Sequence, residues 1–258
     1  MKQAMIFAAG LGTRLKPLTD TMPKALVEVG GKPLLAHVIL KLKAAGFERI
    51  VVNVHHFSSQ IVDYLQQNHL FGLDIRISDE TERLLETGGG IKKALPLFDA
   101  GSPILIHNVD ILSNVDVGAF YRRAQEASAD ALLLVSWRNT KRYLLFGEER
   151  SLEGESSGQM MLKGWTNIET GEIRSPYADL NPSSLKKYAF SGIHVLSPSV
   201  FPLFGEMPER FGIIDFYLRY CDKHAFMGEE KSDLRLLDVG KLNSLREAEE
   251  FVQGSIVQ

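Results

Sequence analysis

The stretch MIFAAGLGTRLKPLTDTMPK, residues 5–24, combines a short apolar run, a turn with two glycines and three basic residues. The five apolar residues at its start have the length of one buried strand, and residues 10–14, GLGTR, form a turn after it. Backbone without a Cβ can approach a ligand closely, and successive amides in such a turn form a concavity that binds anions. Arg14, Lys16 and Lys24 add three positive charges. This combination is suited to a nucleoside triphosphate.

Two better-known glycine loops do not fit this stretch. A dinucleotide-binding fingerprint requires a third glycine three residues after Gly12, where the chain has Leu15. A Walker-type loop requires Gly-Lys-Ser/Thr, whereas Gly12 is followed by Thr13 and Arg14. The alternative to a phosphate-binding loop is an ordinary strand-to-helix turn, in which pairs of glycines are common.

The composition is that of an ordinary globular protein, with 45% hydrophobic and 24% charged residues in 258. This length allows one large α/β domain or two small ones. The formal net charge of -3 argues against a general nucleic-acid binder, which would carry an excess of basic residues. A bound nucleotide would therefore be held by local cations.

Cysteine content and hydropathy indicate a cytoplasmic protein that is not in the membrane. The single cysteine, Cys221, excludes an intrachain disulfide framework and a zinc site with several cysteines. It falls in a helical pattern and is expected to be buried. The N-terminus lacks the pattern of a signal peptide, and no apolar run approaches the roughly 20 residues that span a bilayer.

Apolar runs alternate with helical patterns along the first half of the chain, which predicts an α/β fold. We expect an open, Rossmann-like, mostly parallel mixed sheet flanked by helices, with a small β meander around residues 143–162 and a polar turn at 148–157. Strands are predicted at residues 5–9, 25–29, 49–54, 74–78, 103–107, 131–137 and 187–196. Helices are predicted at residues 34–45, from 58 or 59, 117–127, from 198, 214–222 and from 242.

Ligands of such sheets bind at the carboxyl ends of the strands, so Gly10, the pair His55-His56 and the segment after Ser78 should share one edge. The histidine pair could suggest a metal site. However, adjacent residues at a strand end point in different directions, which favours a role in packing or in a loop.

A second glycine cluster, ETGGGI at residues 86–91, is interpreted as a loop beside the base and ribose, because three glycines indicate close backbone approach. A flexible surface loop is the alternative. Asp110 directly follows the strand at 103–107, which makes it a candidate magnesium ligand or, alternatively, a turn aspartate. Asp116 precedes a helix and is expected to be its N-cap.

The pattern G-L-G-T-R-L-x-P-L-T, followed by P-K-A-L-V, resembles the signature of the sugar-1-phosphate nucleotidyltransferases, or NDP-sugar pyrophosphorylases. Further motifs extend the resemblance over residues 1–258. It implies one domain, with a nucleotide-binding half at about 1–130, a sugar-phosphate half at about 131–258, and no C-terminal β-helix. It also implies that Arg14 contacts phosphate and Lys24 reaches the reacting centre. The residues it places against the nucleotide are Ala8, Ala9, Gly10, Gly12, Thr13, Glu86, Gly88 and Gly89.

The same resemblance implies a Mg²⁺ ion held by Asp110 and Asp238, and a sugar-phosphate site that includes Asn108 and Gly192. The family shows glycine where this chain has Val109. Its usual Glu-Lys-Pro motif is replaced by residues 162–167, LKGWTN, in which Lys163 could hold the sugar phosphate and Trp165 could stack on the sugar. A hairpin with an exposed lysine is the alternative there, and a helix N-cap is the alternative for Asp238.

The implied reaction transfers a nucleoside monophosphate from an NTP, UTP or GTP, to a sugar 1-phosphate in a cell-envelope pathway. In pattern the chain is closest to the N-acetylmuramate 1-phosphate uridylyltransferases and the mannose-1-phosphate guanylyltransferases. No nucleic acid or membrane partner is expected. Two alternatives are a non-catalytic nucleotide-sugar sensor and a phosphocholine cytidylyltransferase. The latter would use an aromatic box such as Trp165, Tyr177 and Tyr188. Base and sugar depend on pocket shape, which the sequence does not define.

Overall fold

A computed structural model describes residues 1–150 and 156–256. Residues 151–155 of the predicted polar turn at 148–157 lie outside the described residues, and the rest of it belongs to strands. The strands are β1 (Gln3–Phe7), β2 (Glu28–Val29), β3 (Lys32–Pro33), β4 (Arg49–Val54), β5 (Asp74–Asp79), β6 (Ile104–Asn108), β7 (Ile111–Ser113), β8 (Ala131–Ser136), β9 (Arg142–Arg150), β10 (Ser156–Asn167), β11 (Glu172–Arg174), β12 (Lys186–Leu196), β13 (Phe226–Glu230) and β14 (Leu236–Asp238). The helices are α1 (Leu34–Ala44), α2 (Ser58–Gln67), α3 (Glu86–Ala94), α4 (Val117–Glu126), α5 (Ile213–Tyr220) and α6 (Ser244–Ile256).

The large sheet has the order β11-β10-β13-β8-β12-β6-β1-β4-β5, and β9 pairs with both β10 and β12. Strands β5, β4, β1 and β6 are parallel neighbours, β13 is parallel to β8, and β12 runs antiparallel between β6 and β8. The predicted mixed, open sheet with a parallel core is confirmed. The predicted meander strands are present and longer than expected, and β9 and β10 pair in antiparallel fashion.

Register aligns the carboxyl ends of three parallel strands. Phe7, the last residue of β1, pairs with Asn53 on β4 and with Asn108 on β6. The three residues therefore lie in one row at the edge of the sheet. Parallel sheets of this kind bind ligands at this edge.

Helices cover both faces of the sheet, because successive residues of a strand point to opposite sides. On β1, Ile6 belongs to the apolar cluster formed with α1, α2, α4 and α6. Its neighbour Met5 belongs to the cluster formed with α3 and α5. Both residues are completely buried. The result is a three-layer α/β arrangement whose two cores fix the sheet edge that carries the candidate site.

Helix α3 is the main departure from the sequence-based prediction, which made residues 86–91 a loop. Three glycines disfavour a helix by propensity. Here the helix backbone packs closely against its surroundings. A Cβ at Gly88 would lie 2.2 Å from the Phe211 ring, and one at Gly89 would lie 2.3 Å from the Glu209 carbonyl oxygen. Close packing therefore explains the glycines and overrides their low helix propensity.

Smaller predictions are confirmed or corrected locally. The Asp116 side chain accepts a hydrogen bond of 2.8 Å from the Ala119 amide, as expected for the N-cap of α4. Cys221 is buried and directly follows α5. The predicted strand at 25–29 is replaced by a 3-10 turn at Lys24–Leu26 and the short strand β2. Within the described part of the chain, no helix has the length and apolar character needed to cross a membrane.

His194 should make the stability of the fold depend on pH. It is 1% exposed, and burial lowers its pKa from 6.5 to about 3. A histidine that must stay neutral in the fold contributes its full stability above the unfolded pKa of about 6.5, and this contribution is lost as the pH falls toward the folded pKa. From His194 alone, the wild-type protein should lose about 1.4 kcal/mol of unfolding free energy per pH unit below about 6.5, and buried His107, whose pKa burial lowers to about 4, adds a similar loss. Urea unfolding at pH 7.5 and 5.5 measures the total loss, and His194→Phe should reduce it by the share of His194, about 1.4 kcal/mol per pH unit. An equal slope in both proteins would contradict the assignment.

Candidate active site

The glycine turn after β1 has one constrained glycine and one open glycine. Gly12 has a left-handed backbone with φ 62, and a Cβ there would lie 2.9 Å from Thr19 Cγ2. Thr19 also donates a hydrogen bond of 2.8 Å to the Gly12 carbonyl. At Gly10, in contrast, a Cβ would meet no atom within 4 Å. The turn is thus folded against residue 19 on one side, and it leaves exposed backbone at Gly10.

A cavity of about 440 Å³ lies between this turn and the carboxyl edge of the sheet. Its walls come from the ends of β1, β4 and β6, from the segment between β5 and α3, and from Gly240 after β14. Most of the predicted site residues line it: Ala8, Ala9, Gly10, Gly12, Thr13, Arg14, Lys24, Glu86, Asn108 and Asp110. The structure therefore brings the two halves of the motif and the strand end at Asp110 to one cavity.

A lysine and a carboxylate are paired in the cavity wall. Lys24 is 8% exposed and donates a hydrogen bond from its Nζ to Asp110 Oδ2. Lys24 begins a 3-10 turn, and Asp110 lies in the turn between β6 and β7. A partly desolvated ion pair holds both side chains in fixed positions, and the ammonium group has three N–H donors, so it can also bind a ligand oxygen.

The second predicted carboxylate lies beside the first. Strand β14 pairs with β7 so that Asp238 is opposite Ile111, and the Val239 amide donates a hydrogen bond of 2.8 Å to the Asp110 carbonyl. Asp238 Oδ1 is buried, and among the described residues it has no hydrogen-bond partner. Backbone contacts therefore hold the segments of Asp110 and Asp238 side by side, and their role as metal ligands stays a prediction.

Arg14 approaches the same place from the glycine turn. A Cβ at Gly240 would lie 2.7 Å from Arg14 Nη2 and 2.6 Å from Asp238 Oδ1, so the guanidinium and the carboxylate flank this glycine. Protein side chains alone do not complete a metal centre here, because residues 1–150 and 156–256 contain no group of three or more His, Cys, Asp or Glu side chains placed to hold an ion.

Among the cavity residues that were not predicted from the sequence, Asn53 and Glu80 are joined by a hydrogen bond. Asn53 Oδ1 accepts hydrogen bonds from the amides of Ala8 at 2.7 Å and Ala9 at 3.3 Å, and Asn53 Nδ2 donates to Glu80 Oε1 at 2.8 Å. Glu80 Oε2 accepts from the Leu85 amide at 3.1 Å. The available signal was a polar residue inside the apolar strand at 49–54, together with a glutamate two residues after the predicted strand at 74–78.

Six predicted site residues are not part of the lining of this cavity: Asp238 and Gly192, which contact residues that line it, and Gly88, Gly89, Lys163 and Trp165. Gly88 and Gly89 lie inside α3, where their amides donate hydrogen bonds of 2.9 and 3.1 Å to the Phe211 carbonyl. Lys163 lines a separate cavity, where its Nζ donates to the Tyr177 hydroxyl at 3.2 Å. Trp165 packs against the Arg174 guanidinium at 5.7 Å. The amides of Gly88 and Gly89 are therefore used within the protein, and Lys163 and Trp165 lie outside the cavity beside the glycine turn.

The remaining predicted residues are accounted for by local contacts. His55 Nδ1 contacts the Glu80 carbonyl at 2.7 Å, and His56 packs on Phe57 with ring centroids 4.0 Å apart, which agrees with the packing interpretation. Gly192 lies in β12 next to the cavity residue Asn108, and its backbone is left-handed with φ 77.

Comparison with known proteins gives one family for the first half of the chain. The family model described as nucleotidyl transferase matches residues 3–148. The chain is 46% identical over 122 residues to the N-acetylmuramate alpha-1-phosphate uridylyltransferase of Neisseria meningitidis, covering 47% of this chain and 52% of that protein. It is 49% identical over 120 residues to the protein of the same name from Caulobacter vibrioides, covering 46% and 49%. The matched region spans about half the length of these relatives.

Solved structures extend the similarity of the fold over the whole chain. A UDP-glucose pyrophosphorylase complexed with UDP-glucose superposes with a TM-score of 0.76 at 17% identity and covers 99% of both chains. The UDP-glucose pyrophosphorylase of Acinetobacter baumanii gives 0.75 at 18% identity and covers 100% of this chain and 99% of its own. At these identities the similarity establishes the fold.

Proposed function

The chain belongs to the nucleotidyl transferase family, and from this premise we propose that it transfers a nucleoside monophosphate from an NTP to a sugar 1-phosphate. The products would be an NDP-sugar and pyrophosphate. The observation that carries the proposal is the grouping of Arg14, Lys24, Asp110 and Asp238 around an open glycine turn at the carboxyl edge of a parallel sheet.

The reaction would be an in-line displacement at the α-phosphorus. A phosphate monoester loses its second proton near pH 6, so the attacking oxygen of the sugar phosphate is already charged at neutral pH. No side-chain base is then needed. The barrier comes from bringing two anions together, and the protein lowers it by positioning and by neutralising charge.

Different residues of the cavity would position the substrates and neutralise their charge. Backbone around Gly10 leaves room for the phosphate chain, and Arg14 would hold the β- and γ-phosphates that leave as pyrophosphate. Lys24 is fixed by Asp110 and would direct its remaining N–H groups at the α-phosphoryl oxygens. These contacts act on charge that moves during the reaction, so they contribute to the rate as well as to binding.

A magnesium ion fits the donor set of Asp110 and Asp238. Magnesium in nucleotide sites is bound by one or two carboxylates together with substrate phosphates. The buried Asp238 Oδ1, which lacks a protein partner among the described residues, is an oxygen donor available to such an ion. When bound, the ion would neutralise charge on the phosphate oxygens.

The first substrate pair to test is UTP with N-acetylmuramate 1-phosphate, because two relatives at 46% and 49% identity carry that activity in their names. GTP with mannose 1-phosphate is the second pair, since mannose-1-phosphate guanyltransferases are also among the relatives. With these substrates the enzyme would act in the cytoplasm and supply a cell-envelope pathway.

The alternative phosphocholine cytidylyltransferase loses support from the contacts of its aromatic candidates. The Tyr177 hydroxyl donates to the Cys221 carbonyl at 2.9 Å, and the Tyr188 hydroxyl donates to Glu230 at 2.9 Å. Trp165 packs against Arg174. The three rings are therefore engaged in separate contacts and do not line the cavity beside the glycine turn.

A matrix of five NTPs against a panel of sugar 1-phosphates, read as pyrophosphate release with Mg²⁺ present, tests the function. We expect one pair to give turnover well above the others, with UTP as donor. Nucleotide binding without turnover for every pair would favour the non-catalytic sensor. The absence of both binding and turnover in a folded protein would overturn the proposal.

Gly192→Ala should weaken use of the sugar 1-phosphate. A Cβ at this position would lie 2.5 Å from Asn108 Nδ2 and displace that amide from the cavity wall. Displacement of a positioning group by about 1 Å can cost up to about 100-fold in rate, so we expect kcat/KM for the sugar phosphate to fall about 10-fold or more. Steady-state kinetics with the sugar phosphate varied measures this change.

Gly171→Ala is the matched control, because Gly171 also has a left-handed backbone, with φ 74, but has no atom within 4 Å of an added Cβ. It should lose a similar amount of stability from backbone strain and keep its kinetics. Equal kinetic losses in both variants would show that strain, and not the contact with Asn108, is responsible.

A further inference from the structure

A buried carboxylate connects two parts of the candidate site that lie far apart in the chain. Glu80 is 1% exposed and follows β5. One oxygen accepts from the Asn53 side-chain amide at 2.8 Å, and the other accepts from the Leu85 backbone amide at 3.1 Å. Both donors are neutral groups. Two acceptors in fixed directions are what a carboxylate provides and a side-chain amide does not.

On one side, this carboxylate fixes the start of the glycine turn through Asn53. Asn53 is 2% exposed, and its Oδ1 receives the amides of Ala8 and Ala9, which precede Gly10. The orientation of the Asn53 amide is set by its Nδ2, which must face the Glu80 oxygen. If that orientation were lost, the two backbone amides would face a donor instead of an acceptor.

On the other side, the carboxylate fixes the start of α3. Leu85 is the N-cap residue of the helix, and Leu84, Glu86 and Thr87 around it line the cavity. Glu86 has a left-handed backbone with φ 63. A residue other than glycine keeps this conformation only when its surroundings hold it there. The hydrogen bond from Leu85 to Glu80 is one of the contacts that do so.

The fit around the pair leaves little room for adjustment. A Cβ at Gly90 of α3 would lie 2.8 Å from Glu80 Oε1 and 3.3 Å from Asn53 Nδ2. The helix therefore packs directly onto the hydrogen bond between the two side chains. A shift of the pair would move the helix start and the glycine turn together.

We propose that Asn53 and Glu80, named here the Asn53–Glu80 pair, are positioning residues that hold the glycine turn and the start of α3 at the separation a nucleotide requires. The inference rests on the proposed function in taking the ligand to be an NTP. Neither side chain has to touch the nucleotide, since the hydrogen-bonding atoms of both are used within the protein.

The isosteric variant Glu80→Gln tests the pair. It keeps the shape, but it can satisfy only one of the two donors, and the other then faces an N–H group. We expect the Kd for UTP, measured by calorimetry with Mg²⁺ and without sugar phosphate, to rise about 10- to 30-fold, in line with the loss of one hydrogen bond to a charged group. The KM for the sugar 1-phosphate should not change.

Exchanging the carboxylate and the side-chain amide between positions 53 and 80 should restore UTP binding. Asn53→Asp alone places two carboxylates against each other and should also weaken UTP binding. When Asn53→Asp is combined with Glu80→Gln, the carboxylate at position 53 would accept from the Ala8 and Ala9 amides and from the side-chain amide at position 80. The oxygen of that side-chain amide would accept from the Leu85 amide. Every donor again has an acceptor, so the double variant should recover most of the lost UTP affinity.

Glu229→Gln is the control for general loss of stability. Glu229 is also buried, at 7% exposed, but it accepts from Arg123 at 2.8 Å and does not line the cavity beside the glycine turn. It should lower the melting temperature without changing the Kd for UTP.

The outcomes separate this inference from the proposed function. Unchanged UTP affinity in folded Glu80→Gln, or a double variant as weak as the two single variants, would overturn the role of the Asn53–Glu80 pair. If the wild-type protein binds UTP but releases no pyrophosphate with any sugar phosphate, the proposed function is wrong. The role of the Asn53–Glu80 pair can then still be tested by calorimetry.

Discussion

Lys24→Ala should lower kcat by about 10²–10³ while the protein stays folded, which is the typical cost of removing one charge contact to a transition state. Lys24 is the buried cation in the wall of the cavity, and it is paired with Asp110. In the proposed mechanism, its removal takes positive charge away from the α-phosphoryl oxygens, and it leaves the Asp110 carboxylate without its counterion. Both effects raise the barrier, because the reaction brings two anions together.

Steady-state kinetics with UTP and the sugar 1-phosphate, together with circular dichroism, measure this loss. Lys16→Ala is the matched control, since Lys16 lies in the same motif but is exposed and pairs with Asp20 at 3.0 Å. Exposed pairs of this kind contribute at most about 1 kcal/mol, so this variant should keep its kcat. A folded Lys24→Ala protein with the kcat of wild type would remove Lys24 from the mechanism.

Gly89→Ala should destabilise the fold by about 2–3 kcal/mol, although the same substitution in an exposed helix stabilises it. The added Cβ would lie 2.3 Å from the Glu209 carbonyl oxygen and 3.0 Å from Leu85 Cβ. Backbone cannot move aside as a flexible side chain does, so α3 must shift away from the segment before α5. Because Glu86 and Thr87 at the start of α3 line the cavity, nucleotide affinity should fall as well.

Gly254→Ala is the control, because Gly254 lies in α6 and an added Cβ there meets no atom within 4 Å. It should raise stability by a few tenths of a kcal/mol, up to about 1 kcal/mol. Urea unfolding of the two variants should therefore give changes of opposite sign. Stabilisation by both substitutions would show that α3 does not pack as tightly as described.

The sequence predicted the parallel core well because strand and helix periods are local properties. Strand β4 has the predicted bounds, and the glycine turn, Lys24 and Asp110 meet where strand ends were expected to meet. Helix α3 was missed because its glycines serve contacts with the segment at residues 209–211, which is distant in the chain. Propensity does not contain that information.

Prediction of the site was limited for the same reason, because the partners of its side chains are distant in the chain. Asn53 and Glu80 were missed because the role of a buried polar residue depends on its hydrogen bonds to neighbouring strands, which the sequence does not show. Lys163 was considered for the sugar phosphate because of its place in the sequence, but the fold turns it toward Tyr177. The order of the motifs along the chain suggested the candidate site residues, but tertiary contacts determine which of them lie together.

The pairing of β14 with β7 affects the order in which parts of the site can form during synthesis of the chain. Asp110 emerges from the ribosome well before Asp238, and only the late strand carries the second carboxylate to the first. A nascent chain could therefore form the glycine turn and the parallel strands around it long before its acidic pair is complete. The proposed acidic pair would be complete only when β14 docks on β7.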